Sequence, residues 1–267
     1  MNKMKKTKFV ALLVSALTST MVFADPPKED GEWRGSFAAA LAIASGNTKS
    51  TNFNASVDML RATKEDKITV FLTSLYGTRD VSGKTEKTAN LSRGGVRYDW
   101  NLSDRMFAFG LLEAEQDKIE RLNSRFVAGT GLGYKVIKEK DTSFDIFAGI
   151  TGRRDNNTVT VVRTLPLPPS TFDKSVSTSS TELLLGEESN HKLSDSVSFK
   201  QKLTVYPNLK NSGEYRGQFD AGLVVALTSG VNLQLTLSDR YNSQALPGTK
   251  KSDLLFLTGI NIVLGAK

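Results

Sequence analysis

Glu187, Glu188, Ser189, Asn190 and His191 stand in one run of the chain. A hydroxyl, an imidazole and a carboxylate are the residue types of acyl transfer, a reaction that needs nucleophile, base and orienting group within hydrogen-bond reach. His191 is the only imidazole and cysteine is absent, so thiolate chemistry, a disulfide framework and a histidine-rich metal centre are excluded. A second pair, Glu113 and Glu115, has the residue type of glycoside hydrolysis. Two carboxylates on one side of one strand do not flank a bound sugar ring, as that reaction requires. Gly129-x-Gly131-x-Gly133 has a phosphate-loop look, but no helix start follows it to hold the phosphate. No metal-ligand spacing stands out, and no cofactor is expected.

The elements that must position these groups are strands. From Glu214 to Leu227 the residues Tyr215, Gly217, Phe219, Ala221, Leu223, Val225 and Leu227 fall in one phase, and Glu214, Arg216, Gln218 and Asp220 in the other. A period of two gives a strand one apolar and one wet face. Val231, Leu233, Leu235 and Leu237 repeat the pattern after a break at Thr228-Ser229-Gly230. Extended along the chain, the alternation predicts about twelve strands of the length a tilted membrane strand needs, roughly ten residues. The expected spans are 33–44, 51–62, 67–79, 87–101, 105–117, 124–137, 142–154, 176–192, 196–207, 214–227, 231–242 and 252–264. Connections alternate between long and tight, the longest being Asp155–Ser175. That sorting suits an all-β, up-and-down antiparallel transmembrane β-barrel with tight turns on the periplasmic rim. A soluble sandwich has no reason for it.

The precursor has 267 residues and a net charge of +7. Met1–Ala24 reads as a secretory signal peptide: lysines 3, 5, 6 and 8, an apolar core from Phe9 to Leu17, then Val22-Phe23-Ala24 before Asp25. Removing those four lysines leaves 31 basic against 28 acidic residues. The basicity is therefore largely an export signal, and nucleic acid drops out as a partner. Residues 25–267 form the single barrel domain, and the bacterial outer membrane is the expected location.

Several short motifs carry a family likeness. They are Trp33-Arg34-Gly35, Ser45-Gly46-Asn47-Thr48, Arg97-Tyr98-Asp99 with Asn101, Asp117 with Leu122 and Arg125, and Gly129-x-Gly131-x-Gly133-Tyr134. As a set the chain resembles the salt-induced outer membrane proteins, a bacterial family whose domain has no assigned function. The resemblance implies an outer membrane barrel and brings no catalytic residue. One departure concerns assembly: outer membrane strands commonly end in an aromatic residue, whereas this chain ends Ile262-Val263-Leu264-Gly265-Ala266-Lys267.

Within a barrel, an Arg or Lys facing lipid at the midplane costs about 2–4 kcal/mol, so charged phases point inward. The expected lumen residues are Arg93, Arg97, Asp99, Glu113, Glu115, Arg125, Asp145, Arg153, Glu182, Lys200, Lys202, Arg216, Asp220 and Arg240. Such a mixed lining either leaves a narrow polar path or pairs into a plug. Two aromatic girdles are expected at the headgroup levels. Trp33, Trp100, Phe107, Tyr134 and Phe144 mark the short-turn side, and Phe53, Tyr76, Phe126, Tyr206, Tyr215 and Tyr241 the long-loop side.

Two strands resist a clean phase. Glu113 and Glu115 share theirs with Phe107, Phe109 and Leu111, so either those aromatics enter the lumen or a bulge near Gly110 resets the alternation. Glu187 and Glu188 cannot both face inward in a regular strand. His191 falls beside a tight turn on the periplasmic rim, which argues against catalysis there. The expected function is a narrow pore for small solutes or a structural envelope protein, working as a monomer among outer membrane lipids and lipopolysaccharide and inserted by the barrel-assembly machinery. The alternatives are a lipid-modifying outer membrane enzyme using His191, and a binding module presenting the proline-rich 155–175 connection.

Overall fold

The computed structural model describes residues 28–44, 49–81, 84–163, 170–245 and 250–265. The leader and the prolines at 166, 168 and 169 lie outside them. Twelve strands follow one another: β1 (Trp33–Ala44), β2 (Lys49–Ala62), β3 (Asp66–Val81), β4 (Lys84–Asn101), β5 (Met106–Asp117), β6 (Leu122–Lys138), β7 (Thr142–Arg163), β8 (Ser170–Lys192), β9 (Val197–Pro207), β10 (Tyr215–Ala226), β11 (Val231–Asn242) and β12 (Ser252–Gly265). Each pairs antiparallel with its sequence neighbours, and β1 meets β12 to close the ring.

The tight turns are set by short side chains that substitute for backbone partners. Thr63 Oγ1 accepts from the amides of Glu65 at 3.1 Å and Asp66 at 3.0 Å between β2 and β3. Ser103 Oγ accepts from the Met106 amide at 3.0 Å between β4 and β5. On the opposite rim the 155–175 connection departs from expectation. β7 and β8 run on through it as a ribbon paired up to Arg163 and Ser170, while β6 accompanies β7 only as far as Asn157. Its Thr and Val residues favour extended backbone, so the ladder continues after the wall has ended.

Side-chain alternation sorts the wall. Leu41, Leu72, Leu112, Leu132, Ile150 and Phe256 point outward and are more than half exposed. The inward phase holds ionised and hydroxyl groups, among them Arg93, Asp99, Glu182, Asp220 and Ser238, all buried. A greasy exterior round a polar interior is the inverse of a soluble domain and matches a transmembrane barrel.

Candidate functional site

The lumen is the site, and register builds it. Across β4 to β7 the residues Arg93, Glu115, Arg125 and Asp155 are successive cross-strand partners, so their inward side chains form a row. Arg93 reaches Glu113 at 2.5 Å and Glu115 at 3.7 Å. Arg125 bridges Glu115 at 3.0 Å and grips both oxygens of Asp155 at 2.9 and 3.1 Å. Arg153 pairs with Asp155 and, through Nε, with Glu182 at 2.9 Å. Arg216 donates twice to Glu182, at 2.5 and 3.2 Å. Arg240 lies 3.6 Å from Asp220 on the adjoining wall. These groups make an ion-pair belt toward the long-loop ends of β5, β6, β10 and β11. Buried charges persist in such a place only because each is matched by an opposite one.

Toward the short-turn rim an aromatic layer follows. Phe107 and Phe109 enter the lumen, and β5 is in regular register from Met106 to Glu115, with no bulge at Gly110. Arg97 lies over Phe109 at 4.4 Å and Phe147 at 4.8 Å, and donates to Asp99 at 2.6 Å. Glycines seat these rings. A methyl group on Gly133 would stand 2.0 Å from Phe107, on Gly131 2.6 Å from Phe109, and on Gly186 2.4 Å from Phe147.

A cavity of about 510 Å³ extends from Arg93, Glu113 and Asp220 past Phe107 and Phe147 down to Lys138 and Lys140 at the rim. Lys67, Asp145, Glu188, Lys200 and Lys202 also line it. Lys67 pairs with Asp99 at 3.1 Å and Lys202 with Glu188 at 3.8 Å. At the rim, Glu29 of the segment before β1 reaches Lys138 at 3.0 Å. Its neighbour Asp30 accepts from Arg34, whose guanidinium holds that carboxyl well below the usual carboxylate range.

All the charged residues expected in the lumen lie on the inward phase, distributed between belt and cavity. The girdle needs two corrections. Tyr206 is 6 % exposed and lies in the lumen under the Arg216 guanidinium, 4.6 Å from its ring centre. It shares the phase of Lys200 and Lys202, so an outward ring would have turned both lysines toward lipid. Phe107, 2 % exposed, is likewise internal. Trp33, Trp100, Tyr134, Phe53, Tyr76, Phe126 and Tyr215 are exposed on the outside, Phe144 lies on the outward phase of β7, and Tyr215 stacks on Tyr241 at 5.1 Å.

Glu188 faces inward and Glu187 outward, where it accepts from Gln201 at 3.3 Å. His191 is on the outer face, stacked on Phe199 at 6.3 Å. Sequence reasoning missed a third lumen layer: on the long-loop side Leu75, Ala89, Leu91 and Leu255 form a buried cluster, with Leu257 against it. The signal was present, since Leu91 shares its phase with Arg93 and Arg97.

Several solved barrels have a similar fold. An outer membrane channel from Pseudomonas putida F1 is 9% identical, covering 91% of this chain and 98% of its own, with a TM-score of 0.48. The translocator domain of the autotransporter NalP from Neisseria meningitidis is 14% identical over 88% of this chain and 87% of its own, with a TM-score of 0.47. The NanC porin is 12% identical over 86% and 98%, with a TM-score of 0.45. No curated protein matches the chain. A family profile does match, over residues 37–263, under a description that makes no reference to salt. The chain belongs to the family described as "Protein of unknown function, DUF481".

Proposed function

We propose that this protein sits in the bacterial outer membrane as a narrow pore for small solutes, its conductance limited by the ion-pair belt. The outward apolar phase supports the location. The observation that carries the pore reading is the cavity of about 510 Å³, lined by charged groups and by Phe71, Phe107 and Phe147, that opens at the short-turn rim and ends at Arg93, Glu113 and Asp220. A lumen built only for stability gains nothing from a wide charged approach on one side of a tight belt. Because both signs are balanced along the belt, ion preference is weak.

Purified folded protein in planar bilayers should show small stepwise currents. The double variant Arg93→Ala/Glu113→Ala removes the Arg93–Glu113 pair and the longer Arg93–Glu115 contact while leaving Glu115 to Arg125, and should raise the unit conductance severalfold. No current above background from either protein overturns the pore reading.

A further inference from the structure

The cavity below the belt is charged in a different way from the belt itself. In the belt, five guanidiniums stand against five carboxylates, and Arg93 and Arg216 are buried. Among the described residues, nine lysines and arginines and seven acids line the cavity, so cations are in excess there. Their exposure sharpens the difference. Lys67 and Arg97 share one carboxylate, Asp99, at 3.1 and 2.6 Å; the side chain of Asp99 is 3 % exposed and that of Lys67 27 %. The acid is sealed in the wall and the ammonium faces the space. Lys135 donates to a neutral partner, Asn101 Oδ1, at 2.8 Å. Lys202 is 38 % exposed and stands 3.8 Å from Glu188, beyond hydrogen-bond reach. Glu188 is about as exposed as Lys202, which makes it the accessible acid opposing these cations.

The second observation is the apolar part of the same lining. Phe71, Phe107, Phe147 and Leu184 face the cavity among the charges. Gly133 and Gly186, behind Phe107 and Phe147, leave room for those rings to lie back against the wall, so that they border the space without filling it. Cation and ring adjoin: Lys202 Nζ is 5.8 Å from the centre of Phe147. A hydrated inorganic anion would use the ammonium groups and leave the rings idle, and a neutral hydrocarbon would do the reverse. Pockets for small organic ligands combine apolar walls with a few placed polar groups, and this volume lies in their range.

We propose that the cavity binds small aromatic carboxylates, the carboxylate meeting the accessible ammonium groups, Lys202 foremost, and the ring resting on Phe147 and Phe107. This names the class of solute for the pore proposed above and rests on that reading for onward passage, but not for the binding itself.

The test is equilibrium dialysis of radiolabelled benzoate, acetate and benzamide against the folded barrel in detergent, with protein-free micelles as the blank. Benzoate should bind. Acetate keeps the charge without the ring and benzamide the ring without the charge, and each should bind about tenfold more weakly. Lys202→Gln should weaken benzoate severalfold, and Glu188→Gln, which removes the opposing acid, should tighten it. Loss of folding cannot produce that pair of opposite shifts, and the migration of unheated barrel on a gel checks both variants. Acetate binding as well as benzoate overturns the proposal, because the rings then contribute nothing. Benzamide binding as well as benzoate overturns it too, because the ammonium groups then contribute nothing. So does benzoate binding that is absent, or that neither substitution shifts. The dialysis needs no current, so the two readings fail separately: a barrel that binds benzoate and conducts nothing keeps the site and loses the pore, and one that conducts without binding benzoate does the reverse.

Discussion

Glu182→Ala is expected to destabilise the folded barrel by about 3–5 kcal/mol, the usual cost of removing one partner from a buried ion pair. Glu182 is 1 % exposed and takes two bonds from Arg216, one ion pair from Arg153 and a 3.2 Å bond from Ser180 Oγ. Without it Arg216 loses the carboxylate it is bonded to, and Arg153 keeps only that of Asp155. Glu182→Gln keeps an acceptor oxygen but not the charge, and should fall between the wild type and alanine. Urea unfolding in detergent, followed through Trp33 and Trp100, measures the difference. A loss below about 1 kcal/mol, the value of an exposed pair, would show that the belt is solvated and contributes little to holding the wall.

The second large effect is steric. In Gly131→Val the new Cβ would lie 2.2 Å from the carbonyl oxygen of Ala148 and 2.7 Å from Gly149 Cα. Both are backbone of the neighbouring strand and cannot rotate away, so β6 and β7 would have to part. Overpacking of movable side chains costs about 1–3 kcal/mol, and backbone opposition puts this variant at or beyond the top of that range. Gly152 provides the contrast: nothing lies within 4 Å of a Cβ built there. Gly152→Val should therefore stay within about 0.5 kcal/mol of the parent. The folded fraction, read from the shifted migration of unheated barrel on a gel, distinguishes the two. Equal behaviour would mean that the glycine ladder does not set the spacing of this wall.

Strand positions were legible in the sequence because one face of every strand meets hydrocarbon and the other meets charge. A one-residue slip would exchange those faces, so the period survives at almost every element. β1 and β11 lie where the alternation placed them, and the inward phase followed from the cost of an arginine in lipid. Three features could not be read that way. The partners within the belt depend on the offset between strands, which brings Glu182 to Arg216 from strands that are not neighbours. Tyr206 was placed by its distance from a strand end when its phase with Lys202 was the better guide. The leucine compartment needed the knowledge that inward side chains of β3, β4 and β12 meet across the lumen. The overlong β7 and β8 were hidden because Thr, Ser and Val suit a loop tip or an edge strand equally.

The ribbon that β7 and β8 form past Asn157 has a consequence for how the cell surface is encountered. Six further residue pairs at about 3.4 Å each carry it some 20 Å beyond the point where β6 stops accompanying it. Phe172 and Val176, both exposed, sit on that finger. In the proposed membrane placement, with the long loops facing out of the cell, an antibody or a phage tail would meet this finger projecting past the end of β6.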